Sequence, residues 1–240
     1  MDKLATGATR LGVQLTSRQL GQFQLYYQEL VDWNKRVNLT RIVDYEEVQI
    51  KHFLDPLTVT LAFQKGEMES PSFRLLDVGT GAGMPGVPLK ILFPNLKLAL
   101  LDSIAKKTAF VRHLVKMLGL EDVDIVTARA EELAHQEGYR EQFDLVLCRA
   151  VAQLPTITEL TLPFCRVGGT FVAQKKGEVG EEVRMASRAI DILGGKLRDI
   201  KGIALGEFEE ERYLIIIDKV SATPPKYPRR PGVPSRRPLG

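Results

Sequence analysis

The 240-residue chain predicts an α/β fold: a seven-stranded, mostly parallel sheet that ends in an antiparallel hairpin and is preceded by a helical extension. Three observations carry this. From residue 73 onward, five short apolar runs alternate with stretches of helical period, the pattern of a parallel sheet covered by helices on both faces. The last two strand-like runs follow one another with no helix between them, which requires antiparallel pairing. The first seventy residues, by contrast, carry helix signals.

Taken in order, Thr16 to Gln19 has the capping-box form, a hydroxyl for one backbone NH and an amide reaching back. It opens a helix whose Leu20, Phe23, Tyr27, Leu30 and Val31 share one face and which ends near WNKRVNLT, residues 33 to 40. Asp55 before Pro56 reads as an N-cap followed by proline at the first helical position. GEMESPS, residues 66 to 72, is a polar linker. The strand runs are Leu75 to Val78, Leu96 to Leu101, Val123 to Val126, Phe143 to Leu147 and Thr170 to Ala173. Between them, Ile104, Thr108, Val111, Val115 and Leu118 precede Gly119, and Val179, Val183, Ala186, Ile190 and Leu193 precede Gly194. In both helices a glycine follows where a left-handed cap is wanted. Leu197 to Leu205 and Tyr213 to Val220 form the terminal hairpin around GEFEEE. The domain boundaries so drawn are 1–70 for the helical extension, 71–220 for the sheet domain and 221–240 for a basic tail.

Composition narrows the class. Hydrophobic residues make up 44% of the chain, enough for a proper core. No apolar run reaches the roughly eighteen residues needed to span a bilayer, and the first residues lack a secretory apolar segment, so a soluble cytoplasmic protein without membrane attachment is expected. Two cysteines, Cys148 and Cys165, are too few for a disulfide scaffold or a thiolate metal site; in apolar surroundings they read as small hydrophobes, and no metal is expected. The net charge is +3, yet Lys226, Arg229, Arg230, Arg236 and Arg237 all fall in the last twenty residues, which hold no acid. The rest of the chain is therefore slightly negative. Six prolines in that tail argue against a helix or central strand there. A polybasic extended segment suits a phosphate backbone; the structural alternative is a solvated end.

In open α/β sheets ligands lie beyond the carboxyl ends of the strands, often at the first strand-to-helix turn. Here that turn is DVGTGAGMPG. Gly79, Gly81 and Gly83 permit positive φ and close backbone approach, while Pro85 and Pro88 suit a first helical turn. The geometry serves both nucleotide-binding oxidoreductases and methyltransferases, and the dinucleotide fingerprint also overlays, as Gly81, Gly83 and Gly86. Asp77 tips the balance. A carboxylate two residues before the first glycine repels a pyrophosphate and attracts a cation such as the sulfonium and ammonium of S-adenosyl-L-methionine. Its structural alternative is accepting bonds from the turn's own backbone. Asp102, closing the next strand, can accept two ribose hydroxyls or share helix capping with Ser103. Ala130 and Glu131 stand where an adenine ring and its amino group would lie; Glu131 also suits a helix N-terminus. Lys106, Lys107, Lys175 and Lys176 suggest a phosphate-binding rim, or simply solvated lysines.

The Asp77 glycine turn, Asp102, the AEE stretch and the terminal hairpin together resemble the Rossmann-like class I methyltransferase fold. With DVGTGAGMPGVPL, DSIAKK, ARAEE, CRAVAQL, WNKRVNLT, KHFLDPL and the tail YPRRPGVPSRRPL, the chain from about residue 16 resembles the bacterial small-subunit ribosomal RNA methyltransferase G family, also called the glucose-inhibited division protein B family. That resemblance implies rRNA methylation: methyl transfer from S-adenosyl-L-methionine to N7 of one guanine. The implied partner is small-subunit ribosomal RNA or the 30S particle. It also implies cofactor contacts at Gly79, Met84, Asp102, Ser103, Ile104, Ala130, Glu131 and Arg149, with Met84 standing where many relatives carry an aromatic or leucine. A monomer is expected.

Guanine N7 already presents a lone pair, so no general base is required. The fourth strand accordingly ends in CRAVAQL, without the Asn/Asp-Pro-Pro-aromatic stretch used on exocyclic amines or the Pro-Cys nucleophile used on pyrimidine carbon. Positioning is then the main source of rate, and Arg149 is the candidate positioning residue, its alternative being a surface ion pair. A dehydrogenase, a small-molecule methyltransferase and a noncatalytic RNA-binding protein of the same fold are the rival classes.

Overall fold

A computed structural model of the chain describes residues 1–149 and 152–239; Ala150 and Val151 of the CRAVAQL stretch and Gly240 lie outside the described residues. The sheet is built from β1 (Arg74–Val78), β2 (Lys97–Asp102), β3 (Val123–Thr127), β4 (Phe143–Arg149), β5 (Cys165–Lys176), β6 (Gly195–Ile203) and β7 (Arg212–Lys219). Their order is β3-β2-β1-β4-β5-β7-β6. β1 to β5 pair in parallel, while β7 runs antiparallel to both β5 and β6. The expected hairpin is therefore present, and its second strand is inserted between β5 and β6.

Because strand side chains alternate in direction, the central strands feed two cores, whereas the edge strand β6 is largely exposed. Leu75, Leu98, Leu100, Leu145, Leu147, Val172, Leu214 and Ile216 face one way. There they meet α1 (Asp2–Arg10), α2 (Ser17–Val37) and, further along the chain, Val87 and Leu89 of the helix after β1 and Phe110, Val111 and Leu114 of the helix after β2. Leu76, Val78, Ala99, Leu101, Val146, Phe171, Ala173, Ile215 and Ile217 face the other way, against the helices that follow β3, β4 and β5. The near-continuous apolar runs of the sequence are thus the mark of strands covered twice.

Within the extension the capping box forms: the Thr16 amide donates to Gln19 Oε1 at 2.9 Å and the Gln19 amide to Thr16 Oγ1 at 3.3 Å. α2 ends at Asn38, which adopts φ of 49°. Its buried face is Phe23, Tyr26 and Leu30; Tyr27 sits one step to the side, its hydroxyl donating to the Val43 carbonyl. The face is centred one residue away from the predicted one because Phe53 packs 5.0 Å from both Phe23 and Tyr26. Asp55 is a second correction. The chain is already helical before it, from α3 (Tyr45–Val48), capped by the Asp44 carboxylate, through a π-helical stretch Gln49–Leu54 into α4 (Asp55–Leu57) and a 3₁₀ turn Thr58–Ala62. Asp55 caps nothing, and its carboxylate is free to reach arginines across the site.

The remaining helices are α5 (Gly86–Leu92), α6 (Ala105–Met117), α7 (Ala130–Leu133), α8 (Leu154–Thr161), α9 (Gly180–Ile192) and α10 (Val233–Arg236). Gly119 and Gly194 take the left-handed conformation expected after α6 and α9, at φ of 61° and 81°. α10 corrects the reading of the tail as helix-free: a single turn forms, with Pro234 in its first turn where a missing NH costs little. Both cysteines are buried, and burial pushes both thiols upward, so they stay protonated apolar filler.

Candidate active site

The site is assembled at the carboxyl ends of β1, β2 and β4. β1 delivers Asp77 fully buried beneath the glycine turn. Its Oδ2 accepts from Thr80 Oγ1 at 2.7 Å and from the Gly86 amide at 3.0 Å, so the carboxylate ties the start of the turn to the start of α5. This is the structural alternative in part, yet Oδ1 has no hydrogen-bond partner among the described residues. Burial pushes the Asp77 carboxyl up to about 6, against the lowering influence of the Thr80 and Gly86 bonds and of Arg149. Thr80 was not singled out in the sequence; the signal was a hydroxyl three residues after an acid at a turn.

Gly79, Gly81 and Gly83 all take positive φ, at 74°, 61° and 95°. The Gly79 and Thr80 amides turn back to the Leu101 carbonyl at 2.8 and 3.0 Å, which locks the turn onto β2. Gly86, not Gly83, supplies the close helix-to-strand approach: a Cβ there would lie 2.5 Å from Leu100 Cδ2 and 3.1 Å from Asp77 Cβ.

Asp102 ends β2 and bridges two loops. Its Oδ2 accepts from the Gly81 amide and its Oδ1 from the Ile104 amide, both at 2.9 Å. A carboxylate has about four acceptor positions, so two remain for hydroxyls of a ligand. Ser103 and Ile104 are exposed beside it, which leaves an apolar wall at the rim. Ser103 shares no capping role with Asp102: the first turn of α6 has no side-chain cap. Ala130 and Glu131 open α7 and are buried, and Glu131 Oε1 accepts from the Gly232 amide of the tail at 2.9 Å.

Arg149 ends β4 and points inward, which corrects the surface-ion-pair alternative. Its Nη1 donates to the Lys51 carbonyl at 2.8 Å and meets Asp55 Oδ2 at 3.3 Å, while Nη2 lies 3.4 Å from Met84 Sδ. Asp55 also faces Arg212 Nε of β7 at 3.6 Å. Burial raises the Asp55 carboxyl while the two guanidiniums oppose it. Around this cluster stand two residues that sequence reasoning missed. Tyr26 donates to the Ala82 carbonyl at 2.6 Å and burial holds its phenol well above the ordinary range. His52 contacts Thr40 Oγ1 through Nε2 at 2.9 Å, has no partner on Nδ1 among the described residues, and is lowered by burial to about 4, so its imidazole is neutral at pH 7. KHFLDPL contained His52 and Asp55, but only the tertiary fold brings them to Arg149.

The predicted lysine rim is mostly spent in ion pairs. Lys175 meets Glu182 at 2.6 Å, Lys176 meets Glu210 at 2.9 Å and Lys107 lies 3.8 Å from Asp102; Lys106 remains exposed. Cavities of 660 and 750 Å³ lie elsewhere, against the N-terminal extension and at the amino ends of the strands. The glycine turn lines neither of them.

A family profile described as rRNA small subunit methyltransferase G (GidB) matches residues 19–212. A Ribosomal RNA small subunit methyltransferase G of Dehalococcoides mccartyi (strain CBDB1) is 48% identical over 239 residues, covering 100% of both chains. The chain belongs to the rRNA small subunit methyltransferase G family. Another member, from Bacillus cereus (strain B4264), is 44% identical over 228 residues, covering 95% of this chain and 94% of its own. Among solved structures, TrmN from Thermus thermophilus superimposes with a TM-score of 0.51 at 17% identity over 69% of this chain and 49% of its own, a likeness of fold alone. The fold is that of class I methyltransferases: a mixed seven-stranded sheet with an N-terminal helical extension.

The cofactor of this methyltransferase G family chain is S-adenosylmethionine, and the residues present fit it. A buried carboxylate oxygen without a partner among the described residues lies under the glycine turn. Gly81 faces open space: a Cβ on it would meet only the Gly79 carbonyl oxygen, at 3.9 Å. A second carboxylate, Asp102, retains acceptor capacity. Two acids at the turn suit a ligand that is itself cationic rather than a pyrophosphate.

Proposed function

We infer that this protein transfers the methyl group of S-adenosylmethionine to N7 of a guanine in small-subunit ribosomal RNA. The observation that carries the reading is the family membership over the whole length, joined to a turn in which buried Asp77 and Asp102 supply negative charge beside three positive-φ glycines. We assign cofactor contacts to Asp77, Gly79, Gly81, Gly83, Met84, Asp102, Ser103, Ile104, Ala130, Glu131 and Arg149. Residues 1–70 are read as the helical extension, 71–220 as the cofactor domain and 221–240 as the RNA-facing tail. The working unit is read as a cytoplasmic monomer; no described helix is long and apolar enough to cross a membrane.

When bound, the cofactor supplies an activated methyl carbon on a cationic sulfur. The protein's own groups bind and orient. Asp77 places a buried carboxylate beneath the turn, and Asp102 holds the turn while keeping acceptors for hydroxyls. Met84, pinned against Arg149, keeps one wall apolar. No side chain has to remove a proton, and the groups nearby agree: Tyr26 is held as a neutral phenol and its hydroxyl is committed to Ala82. These residues would hold the methyl donor and its acceptor in place, and positioning of that kind can supply up to roughly 7 to 11 kcal/mol of the barrier reduction.

The test is methyl transfer in vitro. Small subunits isolated from cells lacking the protein are incubated with it and labelled S-adenosylmethionine, and nuclease digests are resolved by mass spectrometry. The expected product is one 7-methylguanosine in small-subunit rRNA. Label found only in a metabolite, or on another RNA atom, overturns the reading.

A further inference from the structure

The C-terminal segment departs furthest from its sequence, because it is fastened along α7 and α8. Arg140 donates to the carbonyls of Thr223, Pro224 and Tyr227 at 2.8, 3.3 and 2.9 Å. His135 Nε2 lies 2.9 Å from the Pro228 carbonyl. The main clasp is Glu159, fully buried on α8. It accepts the Arg229 amide at 2.8 Å, Arg229 Nε at 2.9 Å and Nη2 at 2.6 Å. Arg229 Nη2 in turn holds the Arg237 carbonyl at 2.7 Å, and Thr156 Oγ1 lies 3.3 Å from the Pro234 carbonyl. Between these fastenings Gly232, at φ of 78°, presents its amide to Glu131. A bidentate arginine–carboxylate pair, here with the carboxylate buried and the arginine partly exposed, is the strong form of such a contact. Arg230, Arg236 and Arg237 of the segment are exposed.

We propose that residues 223–239 are a strap whose Gly232 amide positions Glu131 for the cofactor, so that RNA bound by the exposed arginines raises cofactor affinity. The strap rests on the reading of Glu131 as a cofactor contact. Glu131 is a buried carboxylate at the head of a four-residue helix; the strap is what holds its side chain in place. The strap touches the cofactor's neighbour and also carries the exposed arginines. Binding at either is therefore felt at the other, and linkage makes the effect mutual.

Cofactor affinity is measured by calorimetry on the full chain with S-adenosylhomocysteine, alongside melting curves. Arg229→Gln, which opens the clasp, is expected to weaken binding at least fivefold, as is Glu131→Gln. The double variant is expected to be no weaker than Glu131→Gln alone. Additive losses overturn the strap; an unchanged Glu131→Gln overturns the underlying reading of Glu131, whatever the strap does. In the unsubstituted protein, amide exchange at Gly232 is expected to slow on adding S-adenosylhomocysteine, and an unchanged rate counts against the proposal even where Arg229→Gln fails to fold. A small-subunit rRNA fragment is expected to tighten cofactor binding in the unsubstituted protein and not in the Arg230→Gln, Arg236→Gln, Arg237→Gln triple variant. Equal tightening in both overturns the coupling.

Discussion

Asp77 and His52 are both buried beside Arg149, and their titrations oppose each other. The Asp77 carboxyl sits at about 6 because of burial, above an unfolded value of about 4. Its contribution to stability is therefore full below pH ~4 and lost as pH rises to about 6. His52 sits at about 4, again because of burial, below an unfolded value of about 6.5. Its contribution is full above that value and lost as pH falls through 4. Between pH 6 and 4 the two offset, each by up to roughly 3 kcal/mol. Urea denaturation is expected to show Asp77→Asn losing stability more steeply than the unsubstituted protein on acidification, and His52→Gln less steeply. The same carboxylate makes cofactor affinity fall below pH ~6, by up to about tenfold per pH unit; calorimetry across that range is expected to give a flat profile for Asp77→Asn. Gly86→Ala places a methyl against Leu100 and Asp77. An overpacking cost of about 1–3 kcal/mol and weakened cofactor binding are expected, read by denaturant titration and calorimetry.

At the scale of elements, the polar contacts that join the N-terminal extension to the sheet domain include Tyr26 to the Ala82 carbonyl, the Glu29–His113 pair and a cluster around Asp55. The π-helical stretch Gln49–Leu54 brings the Lys51 carbonyl and then Asp55 to Arg149 at the end of β4, and Asp55 also meets Arg212 of β7. Three elements distant in sequence thus meet at one carboxylate. Removing it takes the shared carboxylate from both guanidiniums, leaving Arg149 the Lys51 carbonyl and Arg212 its pair with Glu210, so Asp55→Ala is expected to cost at most about 3–5 kcal/mol. A cycle of Asp55→Asn with Arg149→Met, followed by denaturation, is expected to show a coupling above roughly 0.5 kcal/mol. Simple additivity would mean that the contact does not join the elements. This assembly was not legible in the sequence: Asp55-Pro56 has the local form of an N-cap, and tertiary contacts carried the helix through it.

Across the whole molecule, charge is divided between a slightly acidic body and a basic end. The lysines of the expected rim are largely paired, so the exposed arginines of the tail are the main candidates for phosphate contact. Neutralising Arg230, Arg236 and Arg237 to glutamine is expected to reduce the salt slope of RNA binding by roughly 2 to 3, measured by filter binding over a salt series. An unchanged slope would move RNA recognition to another face.

The sequence by itself determined the sheet, its helices on both faces, the terminal hairpin, the capping box and the turn that carries Asp77 and the glycines, because each of these is written in local periodicity and in residues with special backbone freedom. Only the tertiary structure decided that Asp55 serves two arginines, that His52 and Tyr26 border the site, and that the proline-rich end is fastened to α8 with Gly232 against Glu131. Those contacts join residues far apart in the chain, and their partners are chosen by burial, which removes water as the alternative and which no short stretch of sequence records.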